Sequence, residues 1–287
     1  MKIDEDLISV HAYLCADGYV IKNPSTNKQK YYMMGLRNTN LTLLRDFQKK
    51  FEKVFCKKPY LVEGERCRIG SKEIYEILTK QFGSFYSKDW VMPKLNNKLS
   101  KIWLRSFFDC EGWIFCKSHQ NRHIGLDSIN EKGLDQIINS LNKLEIRTIK
   151  KINEKRKMYR IFIYGKENLI KFQKEIGFLH PEKMKKLEVT INDFVNYDWN
   201  VNSKNLKNIF LSKARLKKPC YIRIISKEKG NLEKIKNLLN KFYSIESILD
   251  KRVNGLGTIY YELNIYKKSE IQKLRDLGFL QNLFKSS

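Results

Sequence analysis

Apolar residues recur along this chain with two rhythms, every third or fourth position in some stretches and every second in others. Helices and half-buried strands are the conformations that gather such positions on one face. Two nonapeptides stand out, residues 10–18 (VHAYLCADG) and 104–112 (LRSFFDCEG). Each is an apolar run closed by an acid and a glycine, and each leads into an apolar aromatic segment, YVI or WIF. The pattern predicts a helix, a sharp stop and a strand, with Gly18 and Gly112 taking the left-handed conformation of a helix-ending cap. The acids are out of place there, because the C-terminal end of a helix carries partial negative charge. Small residues four apart, Ala12 and Ala16 in one copy and Ser106 and Cys110 in the other, allow two such helices to pack closely. Parallel packing would bring Asp17 and Glu111 to the same end, where two carboxylates resist joint ionisation unless a cation accompanies them. Hard oxygen donors with open positions suit magnesium.

After the first nonapeptide the pattern gives strands at 19–22 and 31–37, a helix over 41–55 capped by Thr39 or Asn40, strands at 60–62 and 67–69, and a helix opened by Ser71. The second half repeats the order, with strands at 113–117 and 123–127, a helix over 131–144, strands at 148–152 and 159–164, and a helix over 166–176. Helix, hairpin, helix, hairpin, helix, met twice, predicts an α+β protein. Residues 220–280 follow the same course, and IYKKSEIQKLRDLGFL aligns with IYGKENLIKFQKEIGFL of the second half. This third copy lacks the apolar, acid-terminated helix. The expected domains are 1–98, 99–198 and a basic, degenerate third repeat over 199–287.

Both nonapeptides resemble the LAGLIDADG motif of homing endonucleases, and the resemblance runs from residue 6 to 195. It includes the connector KDWVMPKLNNKLSKIW and the closing segment IGFLHPEKMKKLE. One such nonapeptide is compatible with a capped core helix; two with matching sequels point to the family. The resemblance implies two pseudo-symmetric LAGLIDADG αββαββα halves forming a DNA-binding saddle, plus a third related α/β domain lacking the motif helix. In the family the last acid of each motif is the metal ligand, which maps onto Asp17 and Glu111. The second copy also keeps Asp109, whereas the first has Cys15 where the family has aspartate. The implied activity is site-specific cleavage of double-stranded DNA by a monomeric, intron-encoded chain using Mg2+, with one acid serving each strand. Lys94 or Lys98 and Lys183 or Lys186 are basic groups that the matched segments place near the site, and Lys94 and Lys183 stand as catalytic candidates. The alternative reading is a catalytically silent nucleic-acid-binding protein, either an RNA maturase acting on structured intron RNA or a DNA-binding regulator.

Charge supports a polyanionic partner. Lys and Arg number 56 against 31 acids, for a net +25, distributed as +7 over 1–100, +6 over 101–200 and +12 over 201–287. A lysine-rich composition can follow from an AT-rich genome, but this does not explain the shortage of acids. Lys22, Lys28, Lys30, Arg37, Arg66 and Arg68 in the first half are expected on the outer face of one sheet. Lys117, Arg122, Arg147, Lys150 and Lys151 are expected on the outer face of the other, where such side chains read base edges in the major groove. The charged N-terminal segment and the lack of an apolar run of about 18 residues predict no membrane span and a cytoplasmic or organelle-matrix location. Cysteines 15, 56, 67, 110, 116 and 220 read as buried thiols, and Cys110, Cys116, His119 and His123 are not expected to hold zinc. The chain offers no Gly-rich phosphate loop, GxSxG elbow or HExxH. A self-splicing role is not expected, because splice-junction residues are not evident at either end.

Overall fold

The computed structural model describes residues 2–24, 26, 28, 31–117, 120–194, 198–217, 221–255 and 258–280. They form two compact units, Met1–Phe194 and Val195–Ser287. The first unit contains α1 (Glu5–Cys15), β1 (Gly18–Lys22), β2 (Tyr32–Arg37), α2 (Leu41–Phe55), β3 (Tyr60–Val62), β4 (Arg66–Gly70) and α3 (Lys72–Phe82). The same order then returns as α4 (Asn97–Glu111), β5 (Gly112–Lys117), β6 (Gln120–Ser128), α5 (Glu131–Lys143), β7 (Ile149–Asn153), β8 (Met158–Tyr164) and α6 (Lys166–Glu175), followed by α7 (Pro181–Asn192). Both sheets are antiparallel and have the same topology, β1-β2-β4-β3 and β5-β6-β8-β7.

Local chemistry accounts for the helix starts. Asp4, Asn40, Ser71, Asn96 and Asn130 each accept a hydrogen bond from a backbone N–H of the first turn. In α2, Leu43, Leu44, Phe47 and Phe51 line one face and are buried. One continuous hydrophobic core spans both halves of the unit. At its centre α1 packs on α4: Ser9 and Ser106 share a hydroxyl hydrogen bond of 2.7 Å, and the Trp103 indole N–H donates to His11 Nδ1 at 2.9 Å. Trp103 stacks on Phe107 with centroids 4.8 Å apart. Ala12 and Ser106 are buried, so the small residues lie on the faces that pack.

The glycines that end the motif helices are not left-handed. Gly112 is extended, with φ −72° and ψ 147°, and Gly18 is absent from the positive-φ positions. Their reason is close approach: a Cβ on Gly18 would lie 2.4 Å from Leu14 Cα, and one on Gly112 would lie 2.6 Å from the Phe108 carbonyl oxygen. Gly125, in the middle of β6, is under the same pressure from a side chain, since its Cβ would meet Trp113 Cζ2 at 2.3 Å. Gly125→Val is expected to cost about 2 kcal/mol through this overpacking, read as a lower thermal midpoint.

The second unit contains α8 (Leu206–Lys213), β9 (Arg215–Lys217), β10 (Tyr221–Ser226), α9 (Lys229–Tyr243), β11 (Ile248–Val253), β12 (Ile259–Ile265) and α10 (Lys268–Asp276). Its sheet order, β11-β12-β10-β9, is the same topology a third time. Sequence periodicity did not resolve α8 and β9. Helix α8 stands where the motif helices stand in the other repeats, but it spans only eight residues and ends without an acid. Continuing the Arg215↔Arg223 register by one residue sets Ala214 opposite Ile224, five positions before α9. Gly18 is likewise opposite Leu36, and Gly112 opposite Leu126, each five before its helix. Lys213 therefore occupies the position that Asp17 and Glu111 hold in the first two repeats. The unit has its own core, built on residues such as Phe210, Ile224, Leu239 and Leu263.

Candidate active site

The parallel packing of α1 on α4 brings the acid-bearing ends together, as the small-residue faces require. Glu111 is pushed up to about 7, first by burial and then by the charge of Asp17, with Asp127 adding to it and Lys183 opposing. Asp17 is held in place: its Oδ2 accepts from the Asn38 amide at 2.8 Å, and its backbone carbonyl accepts from Arg37 N at 3.1 Å. Asn38 sits just beyond β2, and nothing in the sequence pattern singled it out.

Lys183, in the first turn of α7, resolves the electrostatic conflict at the end of α4. Its Nζ donates to the backbone carbonyls of Phe108, Asp109 and Cys110 at 3.2, 2.6 and 3.0 Å. Phe108 O also accepts from Gly112 N, while the Asp109 and Cys110 carbonyls lie in the last turn, where the helix runs out of donors, and the ammonium offsets the negative helix end that carries Glu111. Burial pushes the lysine down, while the surrounding Cys110, Asp109, Asp17 and Glu111 hold it up. Asp109 returns the interaction from the other side. It is 1% exposed and accepts from Leu179 N at 2.9 Å and His180 N at 3.0 Å, which fixes the start of α7. Burial raises Asp109 to about 6 against these hydrogen bonds and Lys183. Helices α4 and α7 are thus locked end to end by one acid and one base. Lys183 takes the place of a helix cap, so its three donors are directed at the protein and not toward a substrate.

In the first repeat Cys15 stands where Asp109 stands in the second, and its Sγ lies 3.6 Å from His11 Nε2 inside the core. Burial pushes this thiol up and the His11 imidazole down to about 3. Lys94 does not join the acids. It is exposed and precedes α4, at the opposite end of a 15-residue helix from Glu111, about 20 Å away at 1.5 Å per residue.

The basic residues expected on the outer sheet faces divide. Strand parity puts Arg37, Arg66 and Arg68 on the outer face of the first sheet, beside Tyr19, whose ring lies over Gly35. Arg37 approaches that ring at 5.4 Å and is exposed. Lys22 has the parity of core residue Val20 and is exposed only because it ends its strand. Lys28 is exposed in the following turn, and Lys30 lies outside the described residues. Lys117 is exposed at the end of β5 past a register shift, and Arg147 is exposed before β7. Two placements differ from expectation. Lys150 turns toward α5, where Asp135 and Glu131 take it at 2.7 and 2.9 Å. The Arg122 side chain is 8% exposed, donates to Asp193 O at 2.7 Å and lies over the Phe194 ring, so it ties β6 to the end of α7. Of the zinc-type set, Cys110 lies at the helix end and His123 within an aromatic group, while His119 is outside the described residues.

The two carboxylates suit a hard divalent cation. Glu111 is costly to ionise beside Asp17, and the buried ammonium of Lys183 is occupied by backbone carbonyls. Among the described residues no three His, Cys, Asp or Glu side chains converge into a metal cage. Mg2+ commonly uses one or two carboxylates, completing its shell with water and substrate phosphate.

Residues 99–177 match the family model described as a LAGLIDADG-like domain. Among solved structures, I-DmoI in complex with DNA and Mn is 17% identical, with 61% of this chain and 98% of that chain covered and a TM-score of 0.47. The homing endonuclease I-WcaI bound to its DNA recognition sequence is also 17% identical, over 65% of this chain and 88% of that one, with a TM-score of 0.46. A glutamine–fructose-6-phosphate aminotransferase from Methanocaldococcus jannaschii is 25% identical over 203 residues. That match covers 65% of this chain, which spans 17% of the length of this curated relative. Residues 99–177 of this chain thus resemble a LAGLIDADG-like domain, and its first repeat has the same element order and sheet topology with an acid of its own, Asp17.

Proposed function

We propose that the chain is a site-specific double-stranded DNA endonuclease of the homing type. The observation that carries this reading is the meeting of Asp17 and Glu111 from two repeats at one pair of helix ends, at a cost that folding alone does not require. Asp17 and Glu111 would hold Mg2+; when bound, it supplies Lewis-acid stabilisation of the phosphate charge and activates water for in-line hydrolysis. Asn38 fixes the orientation of Asp17, and Lys183 keeps the end of α4 rigid and partly neutralised so that Glu111 can ionise. Arg37, Arg66 and Arg68 project into the major groove of one half-site, and the net +25 makes binding strongly salt-dependent. Because one chain supplies both acids, a monomer suffices.

The test is incubation of the full chain with a genomic DNA library and Mg2+, followed by sequencing of newly formed ends. Recurrent staggered breaks at one long sequence, lost when the cation is chelated, are the expected result. Salt-sensitive binding of DNA or RNA without breaks would replace this reading with a non-cleaving binder.

A further inference from the structure

The outer faces of the two sheets in the first unit are built from the same strand positions but carry different chemistry. On the first, Arg37 and Arg68 project beside Tyr19, together with Arg66, which is ion-paired to the neighbouring Glu65 at 2.9 Å. On the second, the equivalent strands project Trp113 and Phe115 from β5, His123 from β6, and Phe162 and Tyr164 from β8. These rings form one connected group: His123 lies 5.2 Å from Trp113, 5.5 Å from Phe115, 5.1 Å from Phe162 and 4.9 Å from Tyr164. The face's arginine, Arg160, is taken by Asp127 through two hydrogen bonds of 2.5 and 2.7 Å. The group begins two residues after Glu111, so it adjoins the candidate active site. It is not sealed, since Phe115 is 42% exposed and Trp113 and Tyr164 are partly exposed. Its rim is basic, with Lys117 exposed at the end of β5 and Lys151 exposed on β7, 5.5 Å from the Phe162 ring.

An apolar face with a basic rim fits one feature of duplex DNA. Stacking hides the base faces, and the one apolar group that a base edge presents in the major groove is the C5-methyl of thymine. Arginine forks, by contrast, match the paired acceptors of guanine.

Resting on the endonuclease reading, we infer that the two half-sites are read by different chemistry. The second repeat selects thymine through its methyl group, with Phe115 and Trp113 as the contacting side chains, and the first repeat selects guanine through its arginines. The preferred target is therefore asymmetric, thymine-rich on the side of the second repeat and guanine-bearing on the other.

The experiment uses the full chain and a synthetic duplex of the site recovered from the library cleavage. Thymines are replaced by deoxyuridine, which pairs identically and lacks only the methyl, first in one half-site and then in the other. Burial of one methyl-sized group corresponds to roughly a three- to fourfold change in binding. The expected result is that loss per contacted thymine in one half-site, and little change in the other. A Phe115→Ala chain should discriminate thymine from deoxyuridine less than the wild type, while 7-deazaguanine, which lacks the N7 acceptor, should weaken only the opposite half-site. Cleavage that is insensitive to deoxyuridine in both half-sites would overturn the inference and leave the endonuclease reading standing. Preference for single-stranded over duplex nucleic acid would overturn it in favour of base stacking on the same rings. A chain that cuts no DNA and binds no duplex would remove both.

Discussion

Glu111→Gln is expected to abolish cleavage and, without divalent cation at pH 8, to make the protein more stable. Asp17→Asn should lose activity equally. Removing either acid deprives the cation of a ligand and should lower the rate at least about a thousandfold, on the order of 4 kcal/mol of transition-state stabilisation, with DNA binding largely kept. The stability gain follows from the position of Glu111 at about 7 in the folded protein. A carboxyl raised above its unfolded value contributes fully below the unfolded pKa, near 4.5, and that contribution is lost as pH rises through 7. At pH 8 the ionised side chain therefore costs folding on the order of 3 to 4 kcal/mol, at about 1.4 kcal/mol per pKa unit, and glutamine removes this cost. Thermal melts of both chains from pH 5 to 8 in EDTA would show the wild type losing stability across the range and the variant losing less. Asp109, raised to about 6 and present in both, leaves a residual slope. A variant that melts lower than the wild type at pH 8, or that still cuts, would remove Glu111 from its role.

Lys183→Met should be the most damaging single change away from the acids. It removes an ammonium donor from three backbone carbonyls at the end of α4, of which only Phe108 O keeps another, Gly112 N, and it takes away a cation that Asp109 and Glu111 face. Breaking one side of such a buried charged arrangement typically costs about 3 to 5 kcal/mol, which corresponds to a fall of roughly 6 to 20 °C in melting temperature for a unit of this size. If Lys183 instead served only as a loose surface cation, the melt would barely move. Lys183→Arg is the companion variant. Its longer fork cannot direct three donors into the same space, so it should recover only part of the loss.

Much of this architecture was legible in the sequence. The duplicated nonapeptide, the matching strands behind it and the small residues at four-residue spacing follow directly from helix and sheet geometry. The meeting of Asp17 and Glu111 is a consequence of those patterns. Three features were not legible. The reason for Gly18 and Gly112 was misassigned, because helix-end glycine usually means positive φ, and here it means backbone packed too closely for a Cβ. The part played by Lys183 depends on a contact more than 70 residues away along the chain, for which local periodicity has no signal. The aromatic face of the second sheet was hidden because alternation shows that a strand has two faces but not which of two apolar faces is buried. Only the observed parity shows that the true core is Ile114, Ile124, Leu126, Ile161 and Ile163, leaving the rings on the other side. Lys150 and Arg122 failed for a related reason: charge reveals that a side chain seeks a partner, but not whether the partner is DNA or a carboxylate of the same protein.

Lys213 turns the third repeat into an internal control supplied by the protein itself. The same backbone closes its first helix on aspartate, on glutamate and on lysine, so the sign of the charge at that point is not an instruction the fold needs. Lysine is what the dipole at a helix end favours. The two repeats that hold an acid there are choosing the less comfortable residue, and reversing that choice costs one codon. Such a position can exchange a carboxylate for an ammonium without the scaffold being rebuilt around it.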